Sequence, residues 1–189
     1  MTRQAFTLWF TGLSGSGKTT LARAVAAELA QRGYRVSVLD GDEIRRTISP
    51  PLGFSKCDRD LHIRRIGQMA ALLARDGIIP IVAAISPYRE TRRDVRRALG
   101  GTCVEIYLEC DLGALMDRDP KGLYAKALSG EIEHFSGVSD PYEVPSSPDL
   151  TIHTACEAVE ASQRRIVEHQ KLRGMLSLTT RSARPAPIS

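Results

Sequence analysis

Gly12-Leu13-Ser14-Gly15-Ser16-Gly17-Lys18-Thr19 satisfies the pattern G-x-x-x-x-G-K-[ST] at every fixed position, and Thr20 follows it directly. In such a loop the glycines let backbone N–H groups close around phosphate oxygens. Lys18 brings a mobile positive charge between the β- and γ-phosphates, and the Thr19 hydroxyl is a magnesium ligand. Upstream, residues 5–11 (AFTLWFT) suit a buried strand; downstream, Leu21, Val25 and Leu29 recur every four residues, as on one helix face. Strand, loop and helix N-terminus come in the order phosphate binding needs. A glycine-rich turn ahead of an ordinary helix is the plain alternative. The full match and its setting favour a nucleoside triphosphate site.

Further along, residues 34–39 alternate and are β-branched, which predicts a second strand ending at Asp40-Gly41-Asp42. Ser55 and Asp58 form an S-x-x-D cap for a helix that carries Ile63, Ile66, Met69, Ala70 and Leu73 on one face as far as Gly77. The nearly all-apolar run 78–85 reads as a strand covered on both faces, ended by Ser86-Pro87. A charged helix through Leu99 follows, then a strand at 103–109, a helix at 111–118, a glycine-containing segment to about Pro148, a short strand at 150–154 and a helix to about Leu172. Strands alternating with helices at this spacing imply an open parallel α/β sheet, with ligands at the carboxyl ends of the strands. That places residues 12–19, 40–42 and 86–89 around one crevice.

The length of 189 residues and the apolar share of 42% suit one domain with a sizeable core. Residues 1–173 are expected to form it. The tail 174–189, with two prolines and no aromatic residue, is expected to be disordered or a linker. The net charge of +4 is modest and the arginines are dispersed, so small anionic nucleotides account for the basic excess without a nucleic-acid surface. Cys57, Cys103, Cys110 and Cys156 show neither C-x-x-C pairing nor a zinc-like His spacing, and read as free thiols in a reducing cytoplasm. No run approaches the roughly 20 apolar residues that span a bilayer. The apolar part of MTRQAFTLWF leads straight into the phosphate loop and is needed as a strand, so a signal peptide and a membrane partner are not expected.

A switch GTPase would show a guanine-reading N-K-x-D, which the chain lacks, and a large ATPase would need further domains. What remains is a small nucleotide-type kinase. Asp40 and Asp42 provide two carboxylates at a strand end. One can order water around magnesium while the other takes the proton of an attacking hydroxyl. Asp42 is read as the base and Asp40 as its support, with the two roles exchangeable; an ordinary Asp-Gly-Asp turn is the plain alternative. Arg45, Arg59 and Arg64 can hold an anionic acceptor through paired hydrogen bonds, Phe54 can stack on a base, and His62 lies among them. For Arg64 and Arg65 a solvated helix face explains the sequence equally well. Arg118 and Lys121 stand where a mobile lid could close over the transferring phosphate, with a surface helix as the alternative.

Taken together, GLSGSGKTT at 12–20, LDGDEIR at 39–45, LGFSKCDR at 52–59, IRR at 63–65, ISPYR at 85–89, RDPKGLY at 118–124 and FSGVSDPYEVP at 135–145 resemble one family, the adenylylsulfate (APS) kinases. The resemblance covers about residues 6–154, in the family's order. It implies a three-layer α/β/α P-loop kinase with a mainly parallel five-stranded sheet, a homodimer, and possible fusion or association with a sulfate adenylyltransferase. It also implies transfer of phosphate from ATP, with Mg2+, to the 3′-hydroxyl of adenylylsulfate, giving 3′-phosphoadenylylsulfate.

Carried over by motif, ATP lies on Gly12, Leu13, Ser14, Gly15, Ser16, Gly17, Lys18, Thr19 and Thr20, with Arg118 on the same side and Thr19 on the metal. Asp42 and Arg45 lie on the acceptor side, Arg59 grips the acceptor's anionic part, and Phe54 with Phe135 sandwiches its adenine. Ile85 and Ser86 line that pocket, Ser136 neighbours the stack, and Lys121 comes from the lid. Ser86 is the family's phosphoserine position. In-line transfer needs only alignment, magnesium and a base, so its hydroxyl is read here as a ligand hydrogen-bonding group.

The chain departs from the family where Asp58-Arg59-Asp60-Leu61-His62 replaces Asp-Arg-x-Glu-Asn, with milder changes at Glu43 and Ser136. His62 thus stands at a position that contacts the acceptor nucleotide, and a kinase for another nucleotide conjugate is the alternative reading. A non-catalytic nucleotide-binding regulator is the alternative from another class. The intact Lys18, Thr19, Asp40, Asp42, Arg59 and Lys121 favour turnover.

Overall fold

Leu8 and Phe10 point to one side of the first strand and Trp9 to the other, and this alternation divides the molecule into two apolar cores on either face of a single sheet. The computed structural model describes residues 5–49, 52–119 and 122–178. In chain order the elements are β1 (Thr7–Thr11), α1 (Lys18–Gln31), β2 (Val36–Asp40), α2 (Gly41–Thr47), α3 (Lys56–Arg75), β3 (Ile79–Ala83) and α4 (Arg89–Ala98). They continue with β4 (Cys103–Glu109), α5 (Leu112–Arg118), α6 (Leu123–Leu128), β5 (Leu150–His153), α7 (Val159–Glu168) and α8 (Gln170–Leu178).

The five strands run in the order β2-β3-β1-β4-β5, and every pair is parallel, as the near-continuous apolar runs of β1 and β3 require. On one face Leu8, Phe10, Ile81 and Ile106 meet Val25 and Leu29 of α1, Ile166 of α7 and Leu172 of α8. On the other, Trp9 and Val82 meet Ile63 and Ile66 of α3 and Val95 of α4. This is the expected three-layer α/β/α arrangement, with a wholly parallel sheet. No helix among the described residues is long and apolar enough to cross a membrane.

Phe10 and Asp40 both pair with Ala83, so the chain leaves β1, β2 and β3 at nearly one level. The loops that carry the candidate residues therefore share one end of the sheet.

Four expectations change. Asp40-Gly41-Asp42 is no simple turn: Gly41 opens α2, and the Asp40 side chain caps it by accepting from the N–H groups of Asp42 and Glu43. The glycine-containing segment before Pro148 contains α6. Residues 159–178 form two helices instead of one. Gly174, placed at the start of a tail, lies inside α8, whose Leu172 and Leu176 are buried in the α1-side core. The remainder of that tail, 179–189, lies outside the described residues. The S-x-x-D cap of α3 is as read, with Ser55 Oγ accepting from the Asp58 N–H at 3.2 Å.

Candidate active site

The phosphate loop is built from backbone that only glycine allows at its first position. Gly12 has φ 153°, and a Cβ there would stand 2.7 Å from the Leu108 carbonyl oxygen and 2.8 Å from Ser16 Oγ. The loop ends at a left-handed Gly17, and α1 begins at Lys18 with no side-chain cap. The N–H groups of its first turn are thus available to an anion, the physical basis of phosphate binding at helix N-termini. The Lys18 ammonium lies over the loop and donates to the Leu13 carbonyl at 2.6 Å.

Thr19 Oγ1 donates to Asp40 Oδ2 at 2.7 Å, while Asp40 Oδ1 accepts from the N–H groups of Asp42 (2.9 Å) and Glu43 (3.2 Å). Burial by itself would raise the Asp40 pKa, but the Thr19 hydroxyl and the two backbone donors outweigh it and hold the carboxyl below its ordinary range. Asp40 is therefore ionised and fixed beside Thr19. Asp42 is exposed in the first turn of α2. The described residues contain no cluster of three or more His, Cys, Asp or Glu side chains suited to a metal. The Thr19 hydroxyl and Asp40 carboxylate nonetheless fit magnesium, which takes few protein oxygens and fills its shell with water and substrate phosphates.

The acceptor side is organised by Phe54, 53% exposed, with the guanidinium of Arg45 5.0 Å and that of Arg59 5.5 Å from its ring centroid. Arg45 also donates to the Gly53 carbonyl at 2.7 Å. Arg59 is only 7% exposed. Its Nε donates to the Phe54 carbonyl (2.8 Å), Nη1 to Ser136 Oγ (3.0 Å) and Nη2 to the His134 carbonyl, and Asp140 lies 3.5 Å away. Through these contacts Arg59 stitches the start of α3 to the 134–140 loop. It also links the two aromatic residues read as a sandwich, touching the Phe54 ring and bonding Ser136, the neighbour of Phe135. Gly137 (φ 91°) brings this loop onto the phosphate loop so closely that a Cβ would sit 2.6 Å from Leu13 Cδ2.

Two of the expected site residues, Ser86 and His62, are buried. Ser86 is 1% exposed with φ 48°; its Oγ accepts from Trp9 Nε1 at 3.0 Å, and its carbonyl accepts from Arg92 Nη1 at 2.5 Å. His62 is 4% exposed, with Nε2 3.1 Å from the Gly41 carbonyl. Burial, reinforced by the nearby Arg45 charge, pushes its pKa down to about 4 against the opposing pull of the Gly41 bond. The ring is neutral at pH 7, and its Nε2–H donates to Gly41. His62 therefore braces the Asp40-Gly41-Asp42 corner from behind. Ile85 is half-buried and offers its carbonyl to Thr11 Oγ1 at 2.7 Å.

At the other end of the site Arg118 donates to the Thr154 carbonyl at 2.8 Å and to that of Ala155 at 3.4 Å, joining α5 to the chain after β5. Thr20 is exposed in the first turn of α1. Lys121 lies outside the described residues.

Sequence reasoning missed the buried residues that join these parts. Arg92 bonds the Ser86 and Glu143 carbonyls and pairs with Glu105 at 3.0 Å. The Tyr142 hydroxyl lies 3.0 Å from Thr11 Oγ1, and the Tyr124 hydroxyl donates to the Ser14 carbonyl at 2.8 Å. Both tyrosines belong to segments already singled out, RDPKGLY and FSGVSDPYEVP, so the signal was present although neither role could be read from it.

A family model described as adenylylsulphate kinase matches residues 4–153. An adenylyl-sulfate kinase from Myxococcus xanthus is 52% identical over 174 residues, covering 90% of this chain and 94% of the relative. A probable bifunctional SAT/APS kinase from Sorangium cellulosum is 52% identical over 162 residues, which is 86% of this chain and 28% of that protein. Among solved structures, the Mycobacterium tuberculosis APS kinase in complex with AMPPNP and APS superposes with a TM-score of 0.84 at 39% identity, covering 92% of this chain and 98% of that one. A hexameric APS kinase from Thiobacillus denitrificans gives 0.67 at 40% identity, over 90% of this chain and 30% of that one.

Proposed function

The chain belongs to the adenylylsulfate kinase family and phosphorylates adenylylsulfate to 3′-phosphoadenylylsulfate with ATP, and from this premise we propose how its residues divide the work. The observation that carries the assignment of roles is the Thr19–Asp40 hydrogen bond, which commits one of the two carboxylates to the phosphate loop.

ATP lies with its phosphates on residues 12–20, held by the uncapped N–H groups of the loop and of α1. Lys18 neutralises charge that develops between the β- and γ-phosphates. Thr19 and Asp40 would hold Mg2+, which would add charge neutralisation at the phosphates. Arg118 borders the nucleotide. On the acceptor side Phe54 and Phe135 flank the adenine of adenylylsulfate, with Arg45, Ile85 and Ser136 around it. The 3′-oxygen forms a bond to the γ-phosphorus as the bond to the ADP oxygen breaks, and Asp42 takes the 3′-hydroxyl proton. Asp40 cannot share that last role while its oxygens hold Thr19 and cap α2. Lys121 is assigned to the lid on the resemblance alone. Arg59, His62 and Ser86 are positioning residues, which hold the clamp, the Asp40-Gly41-Asp42 corner and the chain after β3.

Because His62 lies behind Gly41, its departure from the family's asparagine gives no reason to prefer another acceptor. A cytoplasmic homodimer, working beside or fused to a sulfate adenylyltransferase, completes the proposal. The Sorangium relative supports the fusion, and the hexameric relative makes solution mass the check on the dimer.

The decisive experiment is ADP release, dependent on magnesium and ATP, with adenylylsulfate set against a panel of adenylyl and cytidylyl conjugates, products being identified by mass. The highest kcat/KM falls on adenylylsulfate, which gains one phosphate. Preference for another conjugate would reassign the acceptor.

A further inference from the structure

Tyr124 lies in the first turn of α6, where the Asp119 carboxylate accepts from the N–H groups of Leu123 (2.8 Å), Tyr124 (3.0 Å) and Ala125 (3.1 Å). The side chain is 2% exposed and reaches across to the phosphate loop, where its hydroxyl donates to the Ser14 carbonyl at 2.8 Å. Burial pushes the phenol up to about 12, so it keeps its proton and acts as the donor. The ring passes within 4.0 Å of where a Cβ on Gly15 would be, and it meets Phe135 edge-on, with centroids 5.0 Å apart and planes at 82°.

In a trans peptide the C=O and the following N–H point in opposite directions. Holding the Ser14 carbonyl toward Tyr124 therefore turns the Gly15 N–H the other way. A Ser14–Gly15 peptide without this anchor can rotate, since Gly15 tolerates nearly any backbone conformation. The same ring is propped by Phe135, on the loop that also packs Gly137 against Leu13.

We propose that Tyr124 is a positioning residue that sets the direction of the Gly15 N–H for ATP phosphate and couples this setting to Phe135 on the acceptor side. The inference rests on the placement of ATP and adenylylsulfate given above. It makes the nucleotide affinity of the phosphate loop depend on a residue that touches the other substrate's loop, with no change in the loop's own sequence.

The test uses the full chain as wild type, Tyr124→Phe, Phe135→Leu and the double variant. AMPPNP affinity is measured by calorimetry, KM for ATP and for adenylylsulfate by ADP release, and Tm by thermal scan. Tyr124→Phe keeps the ring and loses only the hydroxyl. It weakens AMPPNP and raises KM for ATP by about tenfold, leaves KM for adenylylsulfate within roughly threefold, and lowers Tm by about 2–4 °C. Phe135→Leu weakens AMPPNP as well, and the double variant binds it no more weakly than Tyr124→Phe alone, the non-additivity of two residues on one path.

A Tm loss with unchanged AMPPNP affinity would reduce Tyr124 to a structural role and overturn the proposal, as would strict additivity. If Tyr124→Phe does not fold, Phe135→Leu with an intact AMPPNP affinity overturns the coupling by itself. Wild-type binding in the same series separates the failures: without it the ATP site itself is misassigned.

Discussion

The Thr19 hydroxyl donates to Asp40 Oδ2 at 2.7 Å and so ties the phosphate loop after β1 to the cap of α2 after β2, across the end of the intervening β3. One carboxylate thus serves a helix cap and a phosphate loop together. Asp40→Asn separates the two duties, because asparagine caps a helix nearly as well but carries no charge. The fold survives, while kcat falls by about 100-fold and half-maximal activity needs more magnesium. A titration of initial rate against magnesium checks this, and an unchanged midpoint would remove Asp40 from the metal side. With its folded pKa lowered, Asp40 contributes stability above the ordinary carboxylate range that is lost as pH falls through the folded value; the variant lacks that acid loss.

Lys18→Ala removes the ammonium that now lies over the Leu13 carbonyl. Turnover drops by roughly 10²–10³-fold with Tm little altered. Single-turnover rates at saturating ATP distinguish this from weakened binding, and an equal rate in the variant would contradict the assignment.

His62 is neutral in the folded chain down to about pH 4, whereas in the unfolded chain it takes a proton near 6.5. The unfolded state therefore binds the extra proton between those values, and stability falls as pH drops through that window, by about 3 kcal/mol in all. His62→Asn abolishes this component. Denaturant midpoints at pH 7 and pH 5 show it as a wild-type loss that the variant does not share. The variant's KM for adenylylsulfate stays within roughly threefold, as expected of a residue that braces Gly41 without touching the acceptor.

Ser86→Ala leaves the Trp9 indole N–H without its acceptor, at a cost of about 1–3 kcal/mol. Its kcat stays within roughly threefold of wild type, because the hydroxyl is enclosed and in-line transfer does not require it. Incubation with labelled ATP gives no phosphoserine at this position. Recovery of stoichiometric label on Ser86 would reverse the assignment.

Legibility in the sequence followed the range of the interactions. The phosphate loop could be read outright because Gly12 to Thr19 act through their own backbone and nearest neighbours. The strands could be read because a sheet buried on both faces leaves its apolar mark in consecutive residues, as in β3. The Asp-Gly-Asp corner misled because its turn chemistry hides a helix cap that works only once α2 has formed. The contacts of Ser86, Arg59 and His62 could not be read for another reason. Trp9 lies 77 residues from Ser86, Ser136 lies 77 from Arg59, and Gly41 lies 21 from His62, so nothing local shows that these polar groups are spent on the protein. The helix α8 was missed because Gly174 and the polar residues after it outweighed Leu172 and Leu176, whose burial depends on the distant α1-side core.

Thr7, Leu8 and Phe10 of β1 have no exposed surface, and the strand is bonded on both edges, to β3 and to β4. Its amides therefore exchange with solvent deuterium only when the whole domain opens, whereas α2, with exposed residues along most of its length, exchanges through local fraying. The site is asymmetric in time as well as in chemistry. The cradle for the phosphates hangs from a strand buried along its length and bonded on both edges, while the helix that carries Asp42 and Arg45 can breathe around it without disturbing that anchor.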